Sequence, residues 1–277
     1  MNKILAVFDG TLYSESASKY AMELARKTKA HLVGAFIHDL RYVNYTYAYA
    51  WDQPVFDLGD IEKTAKEDQD RIKTSIELFK SDCAAQGIRS SVHMDKGIPL
   101  QEVIHESVFA DVAVVDAETG FFSFSESAPS AFLKDLLADS HCPVMIVPHQ
   151  YHDFRKIILC YDGSPSCVYA MKMFAYLFPD LHNLGTSVVS VNKNSSNHLK
   201  DGSKLKEMIR QHFVEANYEV LNGKPEEELL NFLKLEGDGA IVVMGAYGRN
   251  TLSRLFHQSL SNRVIKELKL PVFITHQ

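Results

Sequence analysis

Apolar and polar positions alternate along this chain in two periods, and the whole alternation is written twice. "ILAVFD" at 4–9 and "IILCYD" at 157–162 are short runs rich in β-forming residues, and each stops at Asp-Gly. The segments that follow, "SESASKYAMELARKTKA" and "SPSCVYAMKMFAYLF", carry apolar residues at helical spacing. Each half continues with a second strand ("HLVGAFIH"; "TSVVSVN"), a polar helix ("IEKTAKEDQDRIKTSIELFKSDCAAQG"; "GSKLKEMIRQHFVEAN") and a third strand ("SSVHMDKG"; "YEVLNG"). A helix from "PLQEVIHESV" or "PEEELLNFLKLE" leads to an apolar fourth strand, "VAVVDA" or "AIVVMG". A last helix precedes an apolar fifth strand, "PVMIV" or "PVFIT". Apolar strands alternating with helices predict an α/β fold, a parallel sheet covered on both faces. Ligands of such sheets bind beyond the carboxyl ends of the strands, where the order reverses.

The repetition defines the domains. From Val112 onward the halves align without a gap at an offset of 128, with Gly120 on Gly248 and Pro143 on Pro271. The expected domains are residues 1–148 and 155–277, joined near His149–Phe154. The first copy is longer, mainly through "RYVNYTYAYAWDQPVFDLGD". The aromatic residues of that insert have the alternating spacing of a ribbon; an ordered surface loop is the plainer reading.

Composition narrows the function. A net charge of −6 over 277 residues offers no broad basic field, which argues against nucleic acid as the main partner. No apolar run approaches the roughly 18 residues that span a bilayer. The four cysteines show no CxxC spacing and read as reduced thiols. A soluble cytoplasmic protein without a leader is the expectation. The twelve histidines are scattered, and His141, Cys142, His149 and His152 lack the spacing of a known zinc site; no metal is named by the sequence. Ser164 lies outside any G-x-S-x-G elbow and reads as a helix cap.

The strongest candidate site is "MGAYGRNTLSRLFHQS" at 244–259. Glycines after a strand permit close backbone approach, and the N–H groups beyond them can face an anion near a helix N-terminus. Arg249 and Arg254 add positive charge, and Ser253, Ser259 and Ser261 add hydroxyl donors. As plain turn punctuation the same glycines need no ligand. In the first copy Ala117 stands at Gly245, Glu118 at Ala246, Phe121 at Arg249, Glu126 at Arg254 and Ala131 at Ser259. A carboxylate about 4 Å from a phosphate costs roughly 4 kcal/mol at an effective dielectric near 20, or about three decades of affinity. The first domain is therefore expected to have abandoned the anion site.

Taken together, Asp162-Gly163-Ser164, Gly223-x-Pro225, Gly245-x-x-Gly248 and Pro271 resemble the universal stress protein family, in a tandem form covering essentially the whole chain. The resemblance implies two Rossmann-like, doubly wound domains with five-stranded parallel sheets of order 3-2-1-4-5. It implies pairing through the fifth strands, so that the two halves imitate a dimer about a pseudo-twofold axis; a homodimer of chains is also compatible. Nucleotide-binding members have Gly-x-x-Gly, nine residues, then Gly-Ser; here the spacing is kept but Gln258-Ser259 replaces Gly-Ser. Carried over by position, the implied adenine-nucleotide site is Asp162, Gly163, Ser164, Val191, Met244, Gly245, Gly248, Arg249, Gln258, Ser259 and Leu260. Gln258 places a side chain where the family brings backbone against phosphate. Two readings stay open: a stress-response or signalling module holding ATP or a related nucleotide in the second domain, or a nucleotide-independent scaffold for unknown protein partners. No general base or Mg²⁺ carboxylate is evident near the turn, so catalysis would be slow ATP hydrolysis at most.

Overall fold

In the computed structural model β1 (Lys3–Asp9) is a strand because its middle five residues are all buried, as a parallel strand covered on both faces requires. The structure describes residues 1–39, 58–121, 130–193, 198–245 and 263–275. The chain divides into a unit of Asn2–His141 and a unit of Met1 with Cys142–Gln277.

In the first unit β1 leads to α1 (Glu15–Thr28), β2 (His31–Asp39), α2 (Leu58–Ala85) and β3 (Ser90–Gly97). There follow α3 (Pro99–Ser107), β4 (Val112–Asp116) and α4 (Ala131–Asp139). The strands run β3-β2-β1-β4, all parallel. Local chemistry fixes the start of α1: the Ser14 hydroxyl accepts from the Ala17 N–H, and Glu15 occupies the first turn.

The second unit contains β5 (Val144–Val147), β6 (Lys156–Cys160), α5 (Pro165–Leu177), β7 (Gly185–Asn192) and α6 (Gly202–His212). It continues with β8 (Ala216–Asn222), α7 (Pro225–Glu236), β9 (Ala240–Gly245), a helical segment at 263–268 and β10 (Val272–Thr275). The order is β5-β10-β9-β6-β7-β8. Read inward from β8, this is third, second, first, fourth and fifth strand, the order implied by the family resemblance. β5 adds antiparallel to β10, with Met145 opposite Phe273. Both strands are buried, and apolar but for Thr275, so each covers a backbone edge of the other.

The sequence reading placed Val144–Val147 in a first domain of residues 1–148, whereas this strand groups with the second unit, and the end of one helix differs as well. α6 ends at His212 rather than running on through Asn217, because Phe213 turns to extended backbone and is buried. Ala216 then pairs with Thr186 as the first residue of β8.

Candidate functional site

The carboxyl ends of β6, β7 and β9 meet around the Asp162 turn. Beyond Cys160, the Tyr161 N–H donates to the Val189 carbonyl at 2.8 Å, extending the strand pairing by one residue. The chain then turns: Asp162 Oδ1 accepts from the Ser164 N–H at 2.8 Å, and Gly163 adopts φ +78°. Ser164 caps α5 by accepting from the Cys167 N–H at 3.3 Å, as its sequence position suggested. Lys200 closes over this turn. Its Nζ donates to the Gly163 carbonyl at 3.2 Å, and its own carbonyl accepts from the Tyr161 hydroxyl at 2.9 Å. A Cβ on Gly163 would sit 2.5 Å from the Lys200 Cδ.

Gly245 has a packing role of its own. A Cβ there would lie 2.6 Å from the Cys167 nitrogen and 2.6 Å from the Ser166 carbonyl carbon, both backbone atoms of the first turn of α5. Only glycine lets β9 and α5 approach this closely.

These elements enclose a cavity of about 380 Å³ that brings together Asp162, Val191, Met244 and Gly245. Gly163 and Ser164 shape the turn without lining it. Gly248, Arg249, Gln258, Ser259 and Leu260 lie outside the described residues, as do Ser253, Arg254, Ser261 and the aromatic insert. The cavity also contains residues the sequence reading did not single out. Pro225 and Leu229 of α7 form an apolar wall, and Lys193 and Glu226 bring charge. Pro225 had entered only through the Gly223-x-Pro225 motif, as part of the family resemblance and not of the implied site.

Cys160 and Cys167 also line the cavity and are held as neutral thiols. Burial pushes Cys160 up to about 12, with Cys167 and Asp162 adding smaller contributions. Burial pushes Cys167 up to about 11, with the nearby Asp162 charge next. All four cysteines are free and buried. They are poor nucleophiles at neutral pH.

The matching edge of the first unit is built differently. Asp9 Oδ1 accepts from the Thr11 N–H at 2.9 Å and the Thr11 hydroxyl at 2.8 Å. Burial raises the Asp9 pKa against these hydrogen bonds, and the Asp39 charge raises it further. Asp116 occupies the position of Met244. It is 2% exposed and accepts from the Ser14 hydroxyl at 2.5 Å and from the Glu118 N–H at 2.8 Å. The sequence reading had found Glu118 but missed this second carboxylate. Among the described residues no group of three His, Cys, Asp or Glu side chains gathers to hold a metal ion. No helix among them is long and apolar enough to cross a membrane.

Comparison with known proteins bears on the family and the fold. The model of the universal stress protein family matches residues 153–276. Over 98% of its length the chain is 22% identical to universal stress protein Slr1230 of Synechocystis, covering 99% of that protein. Among solved structures, a universal stress protein of Archaeoglobus fulgidus superposes with a TM-score of 0.71 at 18% identity, over 99% of this chain and 98% of the other. The functionally unknown protein PA1789 of Pseudomonas aeruginosa gives 0.61 at 12% identity, over 100% and 92%. Both structural likenesses show the α/β fold. The universal stress protein family model thus covers most of the second unit, and the chain from end to end is similar to the universal stress protein Slr1230.

Proposed function

We propose that the second unit is a stress-response module that binds ATP or a related adenine nucleotide, one per chain, and that occupancy changes its binding to protein partners. The observation that carries this reading is the cavity at the ends of β6, β7 and β9, which gathers Asp162, Val191, Met244 and Gly245 from three separate strand ends. Its volume suits a nucleobase and ribose. Asp162 is exposed at its wall, where a carboxylate can accept from a ribose hydroxyl or a base amine. Gly245, on the same wall, opens the Gly245-x-x-Gly248 sequence, and Arg249 and Ser259 follow it along the chain.

The first unit is expected to hold no nucleotide, because Asp116 places a buried carboxylate where the second unit has Met244. Calorimetric titration of the intact protein with ATP should therefore give a stoichiometry near one. Asp162→Ala should weaken binding about tenfold, the usual worth of a charged hydrogen bond. A stoichiometry near two would overturn the division of labour. No binding by the wild type, with no adenine nucleotide released on denaturation, would leave the nucleotide-independent scaffold. That second reading has one observation in its favour: Gly163 is explained by its φ of +78° in the turn and Gly245 by packing, neither needing a ligand.

A further inference from the structure

The other flank of the Asp162–Gly163 turn, between the first two helices of each unit, is filled in the first unit and open in the second. In the first unit Phe8 stands 4.8 Å from Phe36, 5.1 Å from Tyr13 and 5.7 Å from Phe79 of α2, between ring centroids. The β1–β2 register pairs Phe8 with Phe36, and the same register continued from Cys160–Val189 pairs Tyr161 with Ser190. Two phenylalanines of the first unit thus become a tyrosine and a serine. The covering helix shortens from 28 residues in α2 to 11 in α6, and α6 carries no Phe, Tyr or Trp to refill the space.

A groove of about 450 Å³ remains between α5 and α6. Its floor is apolar, with Val168 and Tyr169 from α5 and Leu205 and Met208 from α6. Its rim is cationic, with Lys172 and Lys204. Among the described residues Lys172 forms no ion pair, and Lys204 has only Asp201, at 3.9 Å with both side chains exposed. α6 also begins without a side-chain cap.

We infer that this groove is a binding site for a small amphipathic monocarboxylate, an aliphatic or aromatic acid, whose body lies over Leu205 and Met208 and whose carboxylate meets Lys172 and Lys204. The charges select the class. Asp201 already offsets one of the two lysines, so a single negative charge completes the balance, whereas a dianion would face the Asp201 carboxylate. An amine would meet two ammonium groups. A wholly polar anion would leave the apolar floor in water. Tyr161 walls both this groove and the cavity beyond the turn, yet nothing in the groove requires a nucleotide.

The test is a titration of the ¹⁵N-labelled intact protein, without nucleotide, with hexanoate and with benzoate, following backbone amide signals. Saturable shifts are expected at Ser164, Tyr169, Lys204 and Leu205. Lys172→Gln should weaken binding about tenfold, and Lys204→Gln by a smaller factor because it is more exposed. Hexanamide binding as tightly as hexanoate would show that the lysines do not read charge, and would overturn the assignment. Inorganic phosphate binding as tightly as hexanoate would overturn the role of the apolar floor. Absence of any saturable shift with both acids would overturn the site itself, whatever the outcome with ATP in the other cavity.

Discussion

At the end of β1 the Asp9 carboxylate is half-buried, braced by Thr11 and raised in pKa by desolvation; at the end of β6 the corresponding Asp162 stands exposed beside a cavity. One strand further along, the first unit buries Asp116 against Ser14, while the second presents Met244. Behind the turn, the first unit stacks Phe8, Phe36 and Phe79, where the second leaves a groove under Tyr161. The two copies share a backbone plan, yet among the described residues the first sets aromatic rings where the second has a groove, and a buried carboxylate where the second has Met244. Filling converts a place where a ligand could sit into contacts within the chain, and that strengthens the unit at the expense of binding.

The largest test of this contrast removes the filling. Phe79 is fully buried, so Phe79→Ala should lower the unfolding free energy by about 3–5 kcal/mol, measured by urea denaturation of the intact chain. A loss under about 1 kcal/mol would mean that the aromatic stack is not what closes this flank. A smaller effect concerns the glycine that only the second copy has. Gly245→Ala forces a Cβ onto the backbone of Ser166 and Cys167 and should cost about 1–3 kcal/mol. The reverse exchange in the first unit, Ala117→Gly, should cost about 0.5–1 kcal/mol, through chain entropy alone. Equal costs for the two would show that β9 and α5 can part without penalty.

The smallest effect is chemical. With Cys167 held to about 11, its thiolate fraction at pH 8 is about a hundredfold below that of an ordinary thiol. Alkylation by iodoacetamide should be slower by a similar factor in the native protein than in the unfolded chain. The linked stability has a definite sign. Native Cys160 and Cys167 keep their protons to higher pH than unfolded ones, so stability is unaffected below about pH 9. It then falls as pH rises from the ordinary thiol value of 9 toward 11 and 12. Rapid alkylation at pH 8 without loss of structure would contradict this burial.

Much of the fold could be read from the chain because most strands are short and apolar, because Asp-Gly stops the first strand of each half, and because a second copy repeats the order. The convergence of Asp162, Val191 and Met244 followed from topology, since each ends a strand at the same edge. The end of α6 was not legible, because helical periodicity continues past His212 and only the burial of Phe213 ends it. Gly245 was read as making room for phosphate, whereas its nearest neighbours are the backbone atoms of Ser166 and Cys167, 79 and 78 residues away and invisible to any local pattern. Asp116 escaped notice for the same reason, its partner Ser14 lying 102 positions earlier.

The strand Val144–Val147 has a consequence for anyone who would divide this protein. A fragment begun at Asp153, where the family match starts, would contain every element of the cavity beyond β6, β7 and β9 and none of β5. Its β10 would then offer Val272, Phe273 and Ile274 as a bare apolar edge, which other copies could extend into aggregates. The better cut lies just before Cys142, so that the fragment carries its own edge guard. Sequence homology marks where a domain is recognisable; the backbone pairing of β10 marks where it can safely be severed.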